Sequence, residues 1–478
     1  MSQVPAEQAP APDGMSWWFQ EAIAAEAPSS ATTAPAGQSR ADVVVVGGGF
    51  TGLWTALRLR ERAPHLSVTL IEGGLCGSGA SGKNGGKVHG YWGSLATMVA
   101  NFGPDKALEI ARLGTKAQDM MRNFANAPGR DVWWREGGNL RAITTDLQET
   151  KAQAAVAMAK ELGVPDSVVA LSREELACHV RSPVFRGGLA LPEGANVQPA
   201  RLARALRSAC LDAGVVVWEN TPMTGFDEGS PCRVRHARGE ILCDQVVLAT
   251  NIALVGHPRV ARSLALFSSY AVMTEPMEDM VERLGWHADQ GLADLRMFVH
   301  YFRKAGQDRL LMGSGSGPIA FGAQVDSRLL THDQLAADRA LAAIRRFFPQ
   351  LGRIGLAKSW GGGIDISPDR LPFFVTTGGG RVHLGAGYSG HGVNATRIGG
   401  ECLSGLVLGV KDDWTQSPFC TRRVARFPAE PFRTWGGRVV RSAILGCEDA
   451  EEHGQRGTTL QRAGAALPKI LGIKVGTR

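Results

Sequence analysis

The hydrophobic pattern is clearest first at Ala41-Asp42-Val43-Val44-Val45-Val46, which ends in four consecutive valines. A β-branched run without alternation is the pattern of a parallel strand buried on both faces. A helix is predicted after it over 53–60, then a second strand at Ser67-Val68-Thr69-Leu70-Ile71. Amphipathic spacing predicts helices near 104–126 and 146–162, a helix over 202–213, and strands over 215–219 and 244–250. Residues 262–330 read as mostly β, with alternation in Ser269-Tyr270-Ala271-Val272-Met273 and Arg309-Leu310-Leu311-Met312. A helix is expected over 331–348, followed by a glycine-rich strand-to-helix passage from 382 to 409. Residues 1–40 are rich in Ala, Pro, Ser and Gln, and within them Ser16-Trp17-Trp18-Phe19 opens a short helix. Its aromatics are expected to dock on the body while its flanks stay loose, and the last ~30 residues read as weakly structured on composition.

Strands alternating with helices at both ends, around a β-rich middle, predict an α/β protein. A discontinuous doubly wound, Rossmann-like nucleotide domain would carry an inserted antiparallel β-sheet substrate domain. The expected division is an N-terminal extension over 1–40 and a nucleotide domain built from 41–100, 183–260 and 355–447. The substrate domain is then 101–182 and 261–354, and 448–478 is a tail.

Composition adds constraints. The chain has 478 residues, 44% hydrophobic and 20% charged, an ordinary globular balance. The net charge of +7 is concentrated at the end: residues 421–478 hold 11 Lys/Arg against 5 Asp/Glu. The body is therefore close to neutral and lacks an aromatic-studded basic stripe, so no nucleic acid is expected as partner. The tail reads as a solvated basic segment, with an acidic partner or membrane surface as the alternative. Eight cysteines at scattered spacings, without a C-x-x-C pair, read as reduced thiols and not as a zinc site. Neither a membrane-spanning run nor a secretory leader is visible, and a cytoplasmic location is expected.

The chemistry begins at Gly47-Gly48-Gly49-Phe50-Thr51-Gly52, a G-x-G-x-x-G turn between the first strand and helix. Gly47 permits the turn, Gly49 lets backbone approach a pyrophosphate, and Gly52 lets helix pack on strand. The helix N-terminus then favours the phosphates. Glu72 closes the second strand 20 positions past Gly52, placed for ribose hydroxyls. A glycine turn in an unrelated α/β protein is the alternative. The long small-residue loop Leu75-Cys76-Gly77-Ser78-Gly79-Ala80-Ser81-Gly82-Lys83-Asn84-Gly85-Gly86 follows directly and suits a flavin, whose ring must pass alongside backbone.

With these motifs the chain resembles the D-amino-acid-oxidase-type FAD-dependent oxidoreductases, and among them the γ-glutamylputrescine oxidoreductase-like branch. The resemblance runs from about 16 to about 441. It is carried by Asp42 to Gly52 with Glu72, and by Gly79 to Gly86, where the family usually has Arg in place of Lys83. Asp244-Gln245-Val246-Val247-Leu248-Ala249-Thr250-Asn251, Trp360-Gly361-Gly362 and Gly385-Ala386-Gly387-Tyr388-Ser389-Gly390-His391-Gly392 complete it. It implies an FAD-binding domain of the glutathione-reductase type. The cofactor contacts it implies come from Gly47, Gly49, Phe50, Thr51, Gly52, Glu72, Gly73, Ser81, Lys83, Asn84, Gly85, Gly86, Met223, Thr250, Asn251, Gly387, Tyr388, Gly390, His391 and Gly392. Met223 matches a position whose backbone meets adenine. The 385–392 loop should cover the isoalloxazine, with the following helix aimed at the ring's N1–C2=O edge.

Two departures from the family pattern matter. Sarcosine oxidases tether flavin through a cysteine in the passage that here reads Trp360 to Asp365; none is present, so FAD should be non-covalent. Those enzymes also carry a lysine that promotes the oxygen reaction, at a place here apolar (Leu311 or Met312). The acceptor is therefore left as O2 or a carrier. Expected catalytic candidates are His89 and Tyr91, facing substrate or simply packed, and Tyr270 and Arg303 on the β-rich insertion. Arg303 would hold a substrate carboxylate or lie on the sheet surface. Asp365 would bind a cationic amine or cap a turn, and His391 would act through its ring or its backbone. The implied activity is oxidation of a CH–NH bond in a small amine or amino acid, giving an imine that hydrolyses. Alternatives are a flavin hydroxylase, a tRNA-modifying flavoprotein module and a non-catalytic flavoprotein subunit. No metal motif is present.

Overall fold

The computed structural model describes residues 9–26 and 32–470. The predicted apolar run is the core of the strand Gly37–Val46, whose last four valines are buried. It pairs in parallel with Val68–Ile71 on one side and with Gly239–Leu248 on the other. Val216–Trp218 extends the sheet beyond Val68–Ile71, again in parallel. Past Gly239–Leu248 the sheet divides: Cys232–His236 and Met223–Asp227 continue it antiparallel, while Val382–Ala386 joins in parallel and carries Phe373–Thr377. Helices Phe50–Arg62, Pro199–Asp212 and Gly392–Leu408 cover this sheet, contributing Leu53, Leu206 and Ile398 to its apolar layer.

A second eight-stranded sheet runs Leu356–Ile366, Ala265–Thr274, Arg309–Ser314, His300–Ala305, Gly291–Asp294, Asn139–Ile143, Gly187–Leu191, Val169–Leu171. It is antiparallel except where Gly291–Asp294 meets Asn139–Ile143. Helix Gln334–Phe347 packs Ile344 and Phe347 on one face of it. The other face turns toward the nucleotide sheet, and the functional cavity lies between.

The expected domain division needs three changes. Gly187–Leu191 and Leu356–Ile366 lie in the second sheet, not in the nucleotide domain. Helix Pro104–Ala125, assigned to the substrate domain, packs instead on Gly392–Leu408, and the Asn394 side chain donates to the Gly114 carbonyl at 2.9 Å. The tail is structured as far as described: helix Phe432–Glu452 runs past position 448 and packs against Thr459–Ile470. Buried Arg296 fixes it through Glu448 (3.2 Å), Asp449 (3.0 Å) and Glu452 (2.5 Å). Composition hid these helices because their order comes from ion pairs and packing. Near the N-terminus the expected helix is Trp17–Ala25, capped by Ser16 and burying Trp18 and Phe19. The expected loose flanks fall in part on 1–8 and 27–31, and the tail's end on 471–478, all outside the described residues.

Candidate active site

The strand-to-helix turn is built as the glycine spacing requires. Gly47 has φ of +112°, and a Cβ there would strike the Ala249 carbonyl. A Cβ on Gly52 would strike the Gly47 carbonyl, so the helix can seat on the strand only without a side chain at that point. The Glu72 carboxylate accepts from the Gly48 amide (2.7 Å) and the Gly74 amide (2.8 Å), which fixes it at the end of its strand. The Ser81 hydroxyl accepts from the Phe50 amide at 2.8 Å and ties the small-residue loop to the helix start.

From this turn a cavity of about 1140 Å³ extends to the second sheet. Pockets for a single drug-sized ligand span roughly 300–1,000 Å³, so this one has room for a dinucleotide with a small substrate beside it. Its lining includes Gly47, Gly49, Phe50, Thr51, Glu72, Gly73, Ser81, Lys83, Asn84, Gly85, Met223, Thr250, Asn251, Tyr388, Gly390, His391 and Gly392. Three expected cofactor residues lie behind the wall. Gly52 is under the helix, Gly86 is wedged against Val197 and Arg303, and Gly387 is packed against Ser367 and Phe373. Side chains could not be added at any of the three, so they act by permitting close backbone.

The 385–392 loop is held from below by Asp365. Its carboxylate accepts from the Gly387 amide (2.5 Å) and the Tyr388 amide (3.2 Å), while its carbonyl accepts from the Ser389 amide (2.8 Å). Burial raises the Asp365 pKa to about 7, against the lowering effect of those two amides. Asp365 also lines the cavity, with its carboxylate engaged by the two loop amides. The Tyr388 hydroxyl reaches Thr51 at 2.6 Å and links this loop to the first helix. His391 precedes helix Gly392–Leu408 and meets the His89 ring edge-on, centroids 5.3 Å apart. Both imidazoles line the cavity.

Three expected catalytic residues are elsewhere. Tyr91 is buried against Phe419, and its hydroxyl has no hydrogen-bond partner among the described residues. Tyr270 points away from the cavity: its hydroxyl donates to the Leu329 carbonyl and accepts from the Asp333 amide. Arg303 is neither at the substrate nor on the surface. It lies beneath the flavin loop, donating to the carbonyls of Val197 (2.6 Å), Gly86 (3.2 Å) and Gly85 (3.3 Å), with its guanidinium over Trp18.

The chamber wall away from the glycine turn holds Lys87 and Tyr301, and with them Trp92, Arg141, Glu193 and Asp294, which the sequence reading passed over. Glu193 accepts from the Trp92 indole at 2.9 Å and pins the 90–93 turn; burial raises its pKa. Asp294 is fully buried and pairs with His300 Nδ1 at 2.8 Å. Lys87 donates to the Leu292 carbonyl at 3.0 Å. Lys83 lies against Gly362 with its pKa lowered by burial, whereas Leu311 is packed under Gly85 and Met312 faces the opposite core. Among the described residues no group of His, Cys, Asp or Glu is arranged to hold a metal, and no helix is long and apolar enough to cross a membrane.

A parallel sheet with a glycine turn, whose cavity runs under a second, mostly antiparallel sheet, has the form of a dinucleotide-binding protein with a roofed chamber. The chain belongs to the FAD dependent oxidoreductase family, whose profile matches residues 42–406. It is 27% identical over 407 residues to gamma-glutamylputrescine oxidoreductase of Escherichia coli (strain K12), covering 84% of this chain and 89% of that protein. It is 26% identical over 417 residues to the probable oxidoreductase OrdL of Haemophilus influenzae, covering 84% and 88%. Glycine oxidase from Geobacillus kaustophilus shares the fold, with a TM-score of 0.67 at 21% identity over 81% of this chain and all of that one. The protein is an FAD-dependent oxidoreductase.

Proposed function

We propose that the protein oxidises a CH–NH bond in a small amine or amino acid bound under the second sheet, next to non-covalent FAD. The observation that carries this reading is the continuity of one cavity. The backbone cradle at Gly47–Gly49 opens without a wall into the chamber of His89, Trp92, Tyr301 and His391. FAD, when bound, supplies the acceptor for the hydride leaving the substrate's α-carbon. The protein's own residues bind and orient. The helix Gly392–Leu408 presents its positive end toward the chamber, where it favours negative charge. The apolar wall of Leu191, Ala271, Ala293 and Val299 excludes water, so a substrate amine enters neutral and loses hydride without a strong protein base. The imine product is then hydrolysed to a carbonyl compound and an amine.

No cysteine is among the residues lining the cavity, which supports non-covalent binding. Acid or heat denaturation is therefore expected to release all flavin into the supernatant. Flavin fluorescence remaining on the denatured polypeptide would contradict that reading.

A further inference from the structure

Helix Phe432–Glu452 divides in two along its length. Its second half is tied inward: Glu448, Asp449 and Glu452 pair with Arg296, and Ala443, Ile444 and Leu445 are buried. Its first half packs by one face only. Thr434 Oγ1 accepts from the Gly322 amide at 3.3 Å, and a Cβ on Gly437 would meet Ile319 at 3.2 Å. Arg438 and Arg441 donate to the carbonyls of Ile319 (3.1 Å) and Gly317 (2.8 Å). The other face carries Phe432, Trp435 and Val439, spaced i, i+3, i+7 and 74%, 59% and 57% exposed. A single exposed apolar side chain is ordinary, but three in line on one helix face, two of them aromatic, mark a contact surface.

The charge around this stripe has one sign. Residues 421–442 hold six arginines against one acid, Glu430. Asp369 offsets Arg422 and Glu430 offsets Arg433. Arg423, Arg426, Arg438 and Arg441 are left without an ion pair among the described residues. Arg438 lies over the Trp435 ring at 5.3 Å, so cation and apolar surface are interleaved. A second copy of the chain docked here about a two-fold axis would set these arginines against their own symmetry mates. An anionic bilayer complements both halves of the surface. Its acyl boundary takes the apolar stripe, its headgroup phosphates take the arginines, and an aromatic ring such as Trp435 suits the level between them.

We infer that the first half of helix Phe432–Glu452 lies in the headgroup region of an anionic lipid bilayer and holds the enzyme on a membrane surface. The helix lies in the plane of the interface and crosses nothing. This inference is independent of the reaction proposed above.

The test is flotation of full-length holoenzyme with vesicles of phosphatidylglycerol and phosphatidylcholine in equal parts, or of phosphatidylcholine alone. Wild type is compared with Phe432→Ser/Trp435→Ser and with Arg423→Gln/Arg426→Gln. Wild type should float with the anionic vesicles at low ionic strength, stay behind with phosphatidylcholine, and be released by about 0.5 M salt. Each double variant should partition at least about tenfold more weakly, the arginine pair because each charge near the surface contributes on the order of 1 kcal/mol. Flavin content and melting temperature should match wild type in both, since all four side chains are exposed. Should the aromatic pair lower the melting temperature, Val439→Ser and the arginine pair carry the comparison. Wild type left behind with the anionic vesicles, or either double variant floating as well as wild type, would overturn the inference. A lipid-free dimer in sedimentation equilibrium, lost in Phe432→Ser/Trp435→Ser, would assign the face to a second copy and overturn it as well.

Discussion

Gly49 is the residue at which cofactor binding separates from folding. A Cβ there meets only the Ser81 hydroxyl, at 3.0 Å, whereas one on Gly52 drives into the Gly47 carbonyl. Gly49→Val should therefore fold yet lose FAD, because the side chain fills the approach to the pyrophosphate. Flavin content per folded chain measures this, and normal content would mean the cradle is elsewhere. Asp365 gives a prediction in pH. Its folded pKa of about 7 lies above the ordinary carboxylate value of 3.8. The folded state thus holds a proton the unfolded state has released, and stability from this group is complete below about 3.8 and lost as pH rises toward 7. Relative to wild type, Asp365→Asn should gain stability across that window by a few kcal/mol. Melting temperatures of both flavin-free proteins at a series of pH values decide it; a constant difference would show that Asp365 does not titrate there. Parity explains one misread residue: Ser269 and Ala271 line the cavity, so Tyr270 between them on the strand Ala265–Thr274 faces away. Alternation in a sequence separates two faces without saying which one meets the ligand. Arg141 was missed because no strand was read over 139–143, where the structure has Asn139–Ile143.

At the scale of elements, the opening unit was legible because its signals are local. Strand, glycine turn, helix, strand and acid occupy 37–72 in one continuous run. The assignment of strands to sheets was not, since Leu356–Ile366 pairs with Ala265–Thr274 and Gly187–Leu191 pairs with Asn139–Ile143, both distant in sequence. The C-terminal helices were invisible for the same reason: their anchor, Arg296, is more than 150 positions upstream of Glu448. Deleting 448–478 removes all three carboxylates that pair with Arg296 and the second helix that packs beside them. The truncated protein should lose about 3–5 kcal/mol, the usual effect of breaking a buried ion pair. Chemical denaturation measures this, and unchanged stability would mean the hairpin contributes nothing to the second sheet.

Over the whole molecule, the chamber brings together three stretches distant in sequence: the flavin loop, the second sheet and the 385–392 loop. The electron acceptor depends on that assembly. With Leu311 packed under Gly85, no lysine stands at that point to stabilise superoxide as it forms. Reduced enzyme should therefore reoxidise slowly in air and faster with a quinone, and Leu311→Lys should speed the oxygen reaction. A fast wild-type reaction unaffected by Leu311→Lys would assign that part to another cation, with Lys83 at Gly362 the first to replace. The central claim is amine oxidation by the bound flavin, and a single anaerobic turnover tests it most directly. Holoenzyme mixed with an amine should lose its oxidised-flavin absorbance and release one carbonyl product per flavin reduced. If no amine or amino acid reduces the flavin, while dithionite reduces it fully, the account is contradicted.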